Sequence, residues 1–278
     1  MPELPEVETA RRLAERVAVG RRIAEARCAA DALVLVGVTG ERLRAALQGR
    51  QVAAVGRHGK HLWLELDRRP WVSLHFGMTG RFHVPDRRPQ RLISSGRYAT
   101  AAGPWPPRFT KLHLVFDDGG QLVMSDPRRF GRIRLIQERA DVIDALGFDA
   151  LTGVPGRAAF ANALRARAAP VKAVLLDQGF AAGVGNWIAD EVLYQAGIDP
   201  RRRARTLSPL EAERIRRALR RVIGLAVRAG ADSDRYPRRW LFHARWGKET
   251  GAVTARGEGI RHVTVGGRTT AWVPSAQR

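Results

Sequence analysis

The chain has 278 residues, of which 48 are Lys or Arg and 27 are Asp or Glu, giving a formal net charge of +21. A hydrophobic fraction of 45% with seven Trp argues against general disorder, and the length suits one or two domains. The single cysteine, Cys28, excludes an intramolecular disulfide and a zinc finger built from several cysteines. Since the sequence has neither a long apolar run nor a secretory signal, we expect a cytoplasmic protein.

The basic charge predicts a polyanionic partner. Residues 1–150 hold 25 basic and 17 acidic residues, and residues 151–278 hold 23 and 10. The 44 Arg against four Lys are consistent with biased codon usage, but that bias exchanges one cation for another and creates no net charge. The sequence therefore predicts nucleic acid as the partner, with both halves of the chain facing it.

The first half of the chain reads as one helix followed by strands. Helical spacing of apolar residues predicts a helix over 5–18, and LRAALQ suggests a second, short one. Alternating or apolar runs between 23 and 136 predict strands, with a hairpin at DDGG. This spacing is typical of a β-sandwich or flattened barrel, and the Arg-, Pro-, Ser- and Gly-rich stretch 85–108 indicates a long exposed loop.

The second half is helical until its end. ERADVIDALGFDAL predicts a weak helix running into a linker, and four helical stretches follow: RAAFANALRARA, VKAVLLDQ, NWIADEVLYQAG and SPLEAERIRRALRRVIGLAVRAG. Ser208 and Glu211 have the spacing of a capping box at the start of the last one. After Asp232 the strand pattern returns in GIRHVTV and TTAWV, which predicts a terminal β-hairpin around GGR.

The amino terminus is the sharpest chemical motif. If Met1 is removed, Pro2 presents a secondary amine, and an α-amino group has a pKa near roughly 8, so part of it is a free nucleophile at neutral pH. Attack on a sugar C1′ would give an iminium ion, which withdraws electrons. Glu3 and Glu6 would supply a proton donor and an electrostatic stabiliser. The alternative is an ordinary helix start, where proline and acidic residues are common.

Other motifs have functional and ordinary interpretations side by side. The glycines before Asn186 suit a backbone that approaches an anion at a helix start, or a tight turn between helices. Arg128 and Phe130 suit a wedge in a duplex, or a solvated Arg beside a core Phe. A methionine such as Met78 usually belongs to the core. Arg268 lies at a hairpin tip, where most arginines are merely exposed, and Lys60 and Lys172, two of the four lysines, are ordinarily solvated.

Together these motifs resemble the formamidopyrimidine-DNA glycosylase/endonuclease VIII family. The resemblance runs along nearly the whole chain through PELPEVE, GKHLWL, HFGMTG, DPRRFG, GVGNWIADE and the terminal hairpin. It implies an α+β fold with an N-terminal β-sandwich flanked by helices over 1–136 and a linker over 137–150. A helix–two-turns–helix domain over 151–231 and a β-hairpin finger over 232–278 would follow.

The resemblance also implies a bifunctional glycosylase and AP lyase that removes oxidised or ring-opened purines from double-stranded DNA and acts as a monomer without a cofactor. Pro2 would be the nucleophile, Glu3 the general acid/base and Glu6 a supporting carboxylate. Phosphates would be bound by Lys60, His75, Asn186 and Arg268. The gap in the duplex would be filled by Met78, Arg128 and Phe130. Lys172 and Glu191 would lie near the lesion as a candidate pair.

Two departures from the family pattern stand out. Most bacterial members end in a four-cysteine zinc finger, but residues 232–278 contain no Cys, so we expect a zincless finger like that of plant and fungal members, packed by Trp272 and Val273. The stretch between Ala226 and Trp240 is short where many members have a loop that covers 8-oxoguanine. We therefore expect weak activity on that base.

Two rival hypotheses remain open at this stage. A non-catalytic damaged-DNA-binding relative would keep the basic surface and Asn186 but could lose the Pro2–Glu3 pair, which is present here. A generic basic RNA-binding protein would carry aromatic stacking motifs in its strands, and we see none of that form.

Overall fold

The computed structural model of the chain describes residues 2–85, 104–246 and 251–278. It divides into two compact units with the boundary between Ala145 and Leu146. Most of the loop expected at 85–108 lies outside the described residues. Within the described ranges, no helix is long and apolar enough to cross a membrane.

The first unit contains two four-stranded antiparallel sheets, with strand orders β1-β6-β7-β5 and β2-β3-β4-β8. Apolar side chains from both sheets share one core, which confirms the predicted sandwich. The strands are β1 (Ile23–Cys28), β2 (Val52–His58), β3 (His61–Leu66), β4 (Trp71–His75), β5 (Arg81–His83), β6 (Thr110–Phe116), β7 (Gln121–Ser125) and β8 (Arg132–Ile136). The helices are α1 (Leu4–Ala18), α2 (Gly40–Leu47) and α3 (Ala140–Ile143).

Local sequence signals explain these elements. The apolar residues of α1 recur at helical spacing and bury Val7, Ala10 and Ala14 in the core of the sandwich. The DDGG hairpin joins β6 to β7 as predicted: the Asp118 carboxylate accepts the Gly120 N–H at 2.9 Å, and Gly119 takes a φ of +81°. The helix expected in ERADVIDALGFDAL is reduced to the single turn of α3.

The second unit is mainly helical, as the sequence predicts. Its elements are β9 (Phe148–Asp149), α4 (Arg157–Arg165), α5 (Val171–Leu176), β10 (Ala181–Ala182), α6 (Asn186–Ala196), α7 (Pro209–Arg228), β11 (Arg261–Val265) and β12 (Arg268–Trp272). The predicted capping box is present, because the Ser208 hydroxyl accepts the Glu211 N–H and the Glu211 carboxylate accepts the Ser208 N–H. Such caps stabilise a helix start by about 1 kcal/mol.

The terminal hairpin of β11 and β12 rests on apolar packing. Val273 and Trp272 are buried, as expected, and Val273 belongs to a small core with Leu241, Ile260 and Ala271. The Arg201 guanidinium covers the Trp272 ring at 4.2 Å from its centroid. The chain end is also fixed, because the Gln277 amide donates to the carbonyl of Ile198 at 2.9 Å.

Candidate active site and nucleic-acid interface

The amino terminus is held in place by the first turn of α1. Pro2 and Glu3 are both buried, and Glu3 precedes the helix in an extended conformation. The Glu6 carboxylate accepts the backbone N–H of Glu3 at 3.0 Å, and the Glu3 side chain accepts the N–H of Glu6. This capping box fixes two carboxylates within one helical turn of Pro2.

The Glu6 carboxyl is tuned toward neutral pH. Burial, and then the charge of Glu3, raise its pKa from 4.5 to about 7, while hydrogen bonds from backbone N–H groups lower it. A carboxyl with a pKa near 7 can both give and take a proton at physiological pH. The turn therefore contains a group suited to moving protons beside the candidate nucleophile.

The raised pKa of Glu6 has a testable consequence for stability. Because the folded-state pKa lies above the unfolded value, the folded chain binds more protons between pH 4.5 and about 7, and its stability falls across that window. A neutral Gln at this position does not titrate, so it causes no loss of folding stability as pH rises. We expect Glu6→Gln to match the wild type below pH 4.5 and to become more stable than it toward pH 7, with a constant difference above.

Thermal unfolding of both proteins across this pH range measures the effect. Glu15→Gln is the control, because Glu15 lies on the same helix with its side chain 49% exposed. A difference between Glu6→Gln and the wild type that does not change with pH would contradict the prediction.

A buried ion pair connects α1 to the turn that carries Lys60. The Arg57 guanidinium on β2 donates to the Glu8 carboxylate of α1 at 3.0 Å, and both side chains are less than 8% exposed. The same guanidinium donates to the carbonyl of Gly59 at 3.1 Å. Arg57 thus ties the start of α1 to the β2–β3 turn, where Lys60 is 8% exposed.

His75 lies on the strand beside this turn. His61 and His75 face each other across β3 and β4, with ring centroids 4.9 Å apart. Burial, then the charges of His61 and Lys60, lower the pKa of His75 to about 3. Its Nδ1 accepts the Gly77 N–H at 3.1 Å, so the neutral ring carries its proton on Nε2 and can donate it to a phosphate.

Two loops bring the three gap-filling candidates together. A Cβ on Gly77 would lie 2.3 Å from the backbone carbon of Phe130, so the loop with half-buried Met78 packs directly on the loop of Arg128 and Phe130. Phe130 is 48% exposed, and the Arg128 guanidinium lies 5.0 Å from the centroid of its ring. An exposed aromatic ring stacked by an arginine can enter a base stack.

Asp126 connects these two loops through buried hydrogen bonds. It is fully buried, and its carboxylate accepts the Thr79 hydroxyl at 2.8 Å, the Gly131 N–H at 2.6 Å and the Arg128 N–H at 3.3 Å. A carboxylate with three donors keeps both loops in one arrangement. Nothing in its spacing distinguishes Asp126 from a surface residue, although it stands in the DPRRFG motif.

In the second unit, Asn186 and Arg268 come close together. Asn186 starts α6, and its Nδ2 donates to the carbonyl of Thr269 at 2.9 Å. Arg268 precedes Thr269 and is exposed at the start of β12. The turn before it packs on α5, because a Cβ on Gly266 would lie 3.0 Å from that of Ala173. The Asn186 amide and the Arg268 guanidinium, side by side at the start of β12, are groups that bind phosphate oxygens.

Lys172 has a different partner from the one expected. Its side chain is fully buried and lies 2.7 Å from the Asp190 carboxylate, so the expected pair with Glu191 is wrong. Its ammonium also donates to the Thr270 hydroxyl at 2.6 Å and the Thr269 carbonyl at 3.3 Å. Enclosed in this way, Lys172 supports β12, and its expected position near the lesion stays a prediction.

Glu191 has other partners. It accepts the Phe242 N–H at 2.8 Å and the Gln195 amide at 2.6 Å. Burial raises its pKa to about 7. Neighbouring residues of a helix point in different directions, so only one of Asp190 and Glu191 can face α5.

Asp190 is the centre of a buried network that the motifs did not indicate. Its second carboxylate oxygen lies 2.7 Å from Nη2 of Arg245 and accepts the Ala271 N–H at 3.1 Å. The side chains of Asp190 and Arg245 are 0% and 5% exposed. The strand that carries Arg268 is therefore fixed to α5 and α6 by buried charge.

Comparisons with protein families agree with this geometry. Residues 1–133 match the formamidopyrimidine-DNA glycosylase N-terminal domain, and residues 146–237 match the formamidopyrimidine-DNA glycosylase H2TH domain. A curated formamidopyrimidine-DNA glycosylase from Arabidopsis thaliana is 39% identical over 100% of this chain and 71% of its own length. Another, from Pelobacter propionicus, is 32% identical with both chains covered in full.

Solved structures of such enzymes are also similar. The Lactococcus lactis enzyme, bound non-covalently to DNA with an AP site, superposes with a TM-score of 0.80 at 26% identity over 99% of both chains. The MutM (Fpg) protein of Thermus thermophilus gives a TM-score of 0.77 at 33% identity, covering 99% of this chain and 98% of its own.

Proposed function

Because the chain belongs to the formamidopyrimidine-DNA glycosylase family, it is a DNA glycosylase of base-excision repair, and we propose that its chemistry takes place at the start of α1. AP lyase activity is general in this family. The observation that carries the proposal is the turn in which Pro2 and Glu3 precede the helix and Glu6, with its pKa near 7, is bonded to the Glu3 N–H.

The proposed reaction begins with Pro2. After removal of Met1, its nitrogen attacks C1′ of a flipped nucleotide, and the damaged base leaves with the electron pair of the glycosidic bond. The proton that the Pro2 nitrogen carries after the attack passes to the departing base. Glu3 then protonates the ring oxygen of the sugar as the ring opens, and the nitrogen electron pair forms the iminium ion between Pro2 and C1′. Glu6 lies close enough to Glu3 to exchange a proton, and it stabilises Glu3 as the charge of that carboxylate changes.

Strand cleavage follows from the iminium ion. It acidifies the proton on C2′, whose loss expels the 3′ phosphate in β-elimination. A second proton loss then expels the 5′ phosphate in δ-elimination. Each step forms a carbon–carbon double bond as a carbon–oxygen bond breaks, so neither needs an oxidant or a metal ion.

The other predicted residues bind the substrate in this proposal. Lys60 and His75 in the first unit, and Asn186 and Arg268 in the second, bind phosphates near the flipped nucleotide. Met78, Arg128 and Phe130 fill the space that the nucleotide leaves, as wedges do in other DNA-binding proteins, and Arg128 faces the base opposite the lesion. We also propose a cytoplasmic location, on the nucleoid if the source is a bacterium, because the proposed substrate is double-stranded DNA.

Borohydride trapping tests the proposal. With duplex DNA that contains one abasic site, reduction of the iminium ion should link protein and DNA covalently, and digestion should place the link on Pro2. Binding to damaged DNA without any adduct would instead support a non-catalytic damaged-DNA-binding relative.

Arg268 is expected to bind one phosphate. Arg268→Ala should weaken binding to damaged and undamaged duplexes alike, and the slope of log affinity against log salt should flatten by about one unit. Arg261→Ala is the matched control, because Arg261 is exposed in the same hairpin but pairs with Trp272 at the end away from the turn. Equal slopes for the two variants would place the phosphate contact elsewhere.

Substrate preference should follow the short connection after α7. The helix ends at Arg228, and the chain enters a 3-10 turn at Ser233–Arg235 after only four residues. A short connection offers few groups to cover a flipped purine and bond its edge. We expect formamidopyrimidines, abasic sites and further-oxidised guanines to react faster than 8-oxoguanine.

Single-turnover rates on duplexes that differ only in the lesion decide this point. Excision of 8-oxoguanine opposite cytosine as fast as that of formamidopyrimidine guanine would contradict the loop argument while leaving the family assignment intact.

A further inference from the structure

The loop that carries Arg128 and Phe130 has a strained centre. Arg129, between them, takes a φ of +58°, in the left-handed region. This conformation costs a residue with a Cβ roughly 1 kcal/mol or more. The neighbouring contacts of Asp126 fix Arg128 and Gly131 at the ends of this turn, but they do not touch the side chain of Arg129. Another contact must stabilise the centre.

That contact is with Asp31. The Arg129 guanidinium donates to the Asp31 carboxylate in a forked arrangement, with Nε at 2.9 Å from Oδ2 and Nη2 at 2.9 Å from Oδ1. The Asp31 side chain is 7% exposed, and Lys111 donates to it at 2.7 Å. The hydrogen bonds from Arg129 and Lys111 hold the pKa of Asp31 well below its usual range, so the carboxylate stays charged.

Asp31 is itself fixed by both sheets of the sandwich. Lys111 belongs to β6 in one sheet. In the other, β8 pairs with the segment that follows Asp31, because Ile133 donates to the Val34 carbonyl and Val36 to the Ile133 carbonyl, each at 2.8 Å. The position of Arg129 is therefore set by the two sheets of the first unit, through Asp31, and not only by its own loop.

This arrangement determines where the two flanking side chains point. Arg128 and Phe130 are exposed, and the Arg128 guanidinium stacks on the Phe130 ring. Their backbone directions depend on the left-handed turn at Arg129. We infer that Asp31 is a positioning residue: through Arg129 it holds Arg128 and Phe130 where they meet the strand opposite the lesion, and so it contributes to discrimination between opposite bases.

The inference rests on the proposed function and predicts a specific change in selectivity. Loosening Arg129 should let Arg128 and Phe130 adopt several orientations, so the contact with the opposite base becomes less selective. Single-turnover excision from duplexes that differ only in the opposite base measures this effect. We expect the ratio between the excision rates with the most and the least favoured opposite base to fall by about tenfold in Arg129→Ala, which corresponds to about 1.4 kcal/mol.

Arg129→Ala is the primary variant because it leaves the buried pair of Asp31 and Lys111 intact. Asp31→Asn should lower the ratio similarly. The double variant should lower it little further than either single variant, because both substitutions remove the same contact. Asp67→Asn is the control: Asp67 also pairs with an arginine, Arg50 at 2.8 Å, but follows β3 at the end of the sheet away from the loop.

Two further measurements separate this role from a structural one. Cleavage at an abasic site in single-stranded DNA should be unchanged in Arg129→Ala, because no opposite base is present. Fluorescence of 2-aminopurine opposite a tetrahydrofuran analogue of an abasic site reports the loop without any catalysis, because the analogue has no leaving group on C1′. Its rise on binding should be smaller in the variant. This second measurement still tests the loop if the wild type fails to cleave, which would refute the proposed function alone.

An unchanged ratio and an unchanged fluorescence rise in Arg129→Ala would overturn the inference. An equal loss of duplex excision and single-strand cleavage would also overturn it, because the contact would then support the fold or the chemistry rather than the opposite strand.

Discussion

Replacing Pro2 should sharply lower both base excision and strand cleavage, and blocking its nitrogen should abolish them. Pro2→Gly keeps an amine but makes it primary and less constrained, so the nitrogen is held less well for attack, and we expect excision and strand cleavage to fall roughly a hundredfold or more. Any extension in front of Pro2 turns its nitrogen into an amide, which has no free electron pair for attack. Borohydride trapping should then give no adduct.

The control for the extension is the same sequence placed after Arg278. That protein should trap DNA as the untagged protein does, because Pro2 keeps a free amine. Full activity and full trapping with a blocked amino terminus would refute the assignment. Retained DNA binding in Pro2→Gly would show that the loss is chemical, since Pro2 lies at the start of α1 and its replacement leaves the hydrogen bond between Glu6 and the Glu3 N–H in place.

Asp190→Asn should strongly destabilise the second unit. The substitution keeps the shape of the side chain but leaves the buried cations Lys172 and Arg245 without their counter-charge. Loss of one partner from a buried ion pair costs about 3–5 kcal/mol. Because Asp190 also accepts the Ala271 N–H of β12, we expect weaker DNA binding through Arg268 as well.

Asp177→Asn is the matched control for stability. Asp177 pairs with Arg167 at 3.1 Å in the same unit, but both side chains are more than 40% exposed. An exposed pair contributes at most about 1 kcal/mol, because water and salt screen it. Chemical unfolding followed by tryptophan fluorescence compares the two variants. Equal losses of stability would mean that the Asp190 network does not hold the hairpin.

Several elements were fixed by signals that lie close together in the sequence. The helix α7 follows from the capping box of Ser208 and Glu211, and the β6–β7 hairpin follows from DDGG. The start of α1 follows in the same way, so the proximity of Pro2, Glu3 and Glu6 was predictable. Each of these features depends on residues within one turn, where spacing alone sets the geometry.

Contacts between distant segments needed the tertiary structure. The sequence offered Glu191 as the partner of Lys172, but the rotation of α6 against α5 selects Asp190, one residue earlier. Asp31 and Arg129 are 98 residues apart and meet only because β8 runs beside the segment after Asp31. Charge and spacing determine which residues can pair, while the packing of helices and sheets determines which of them do.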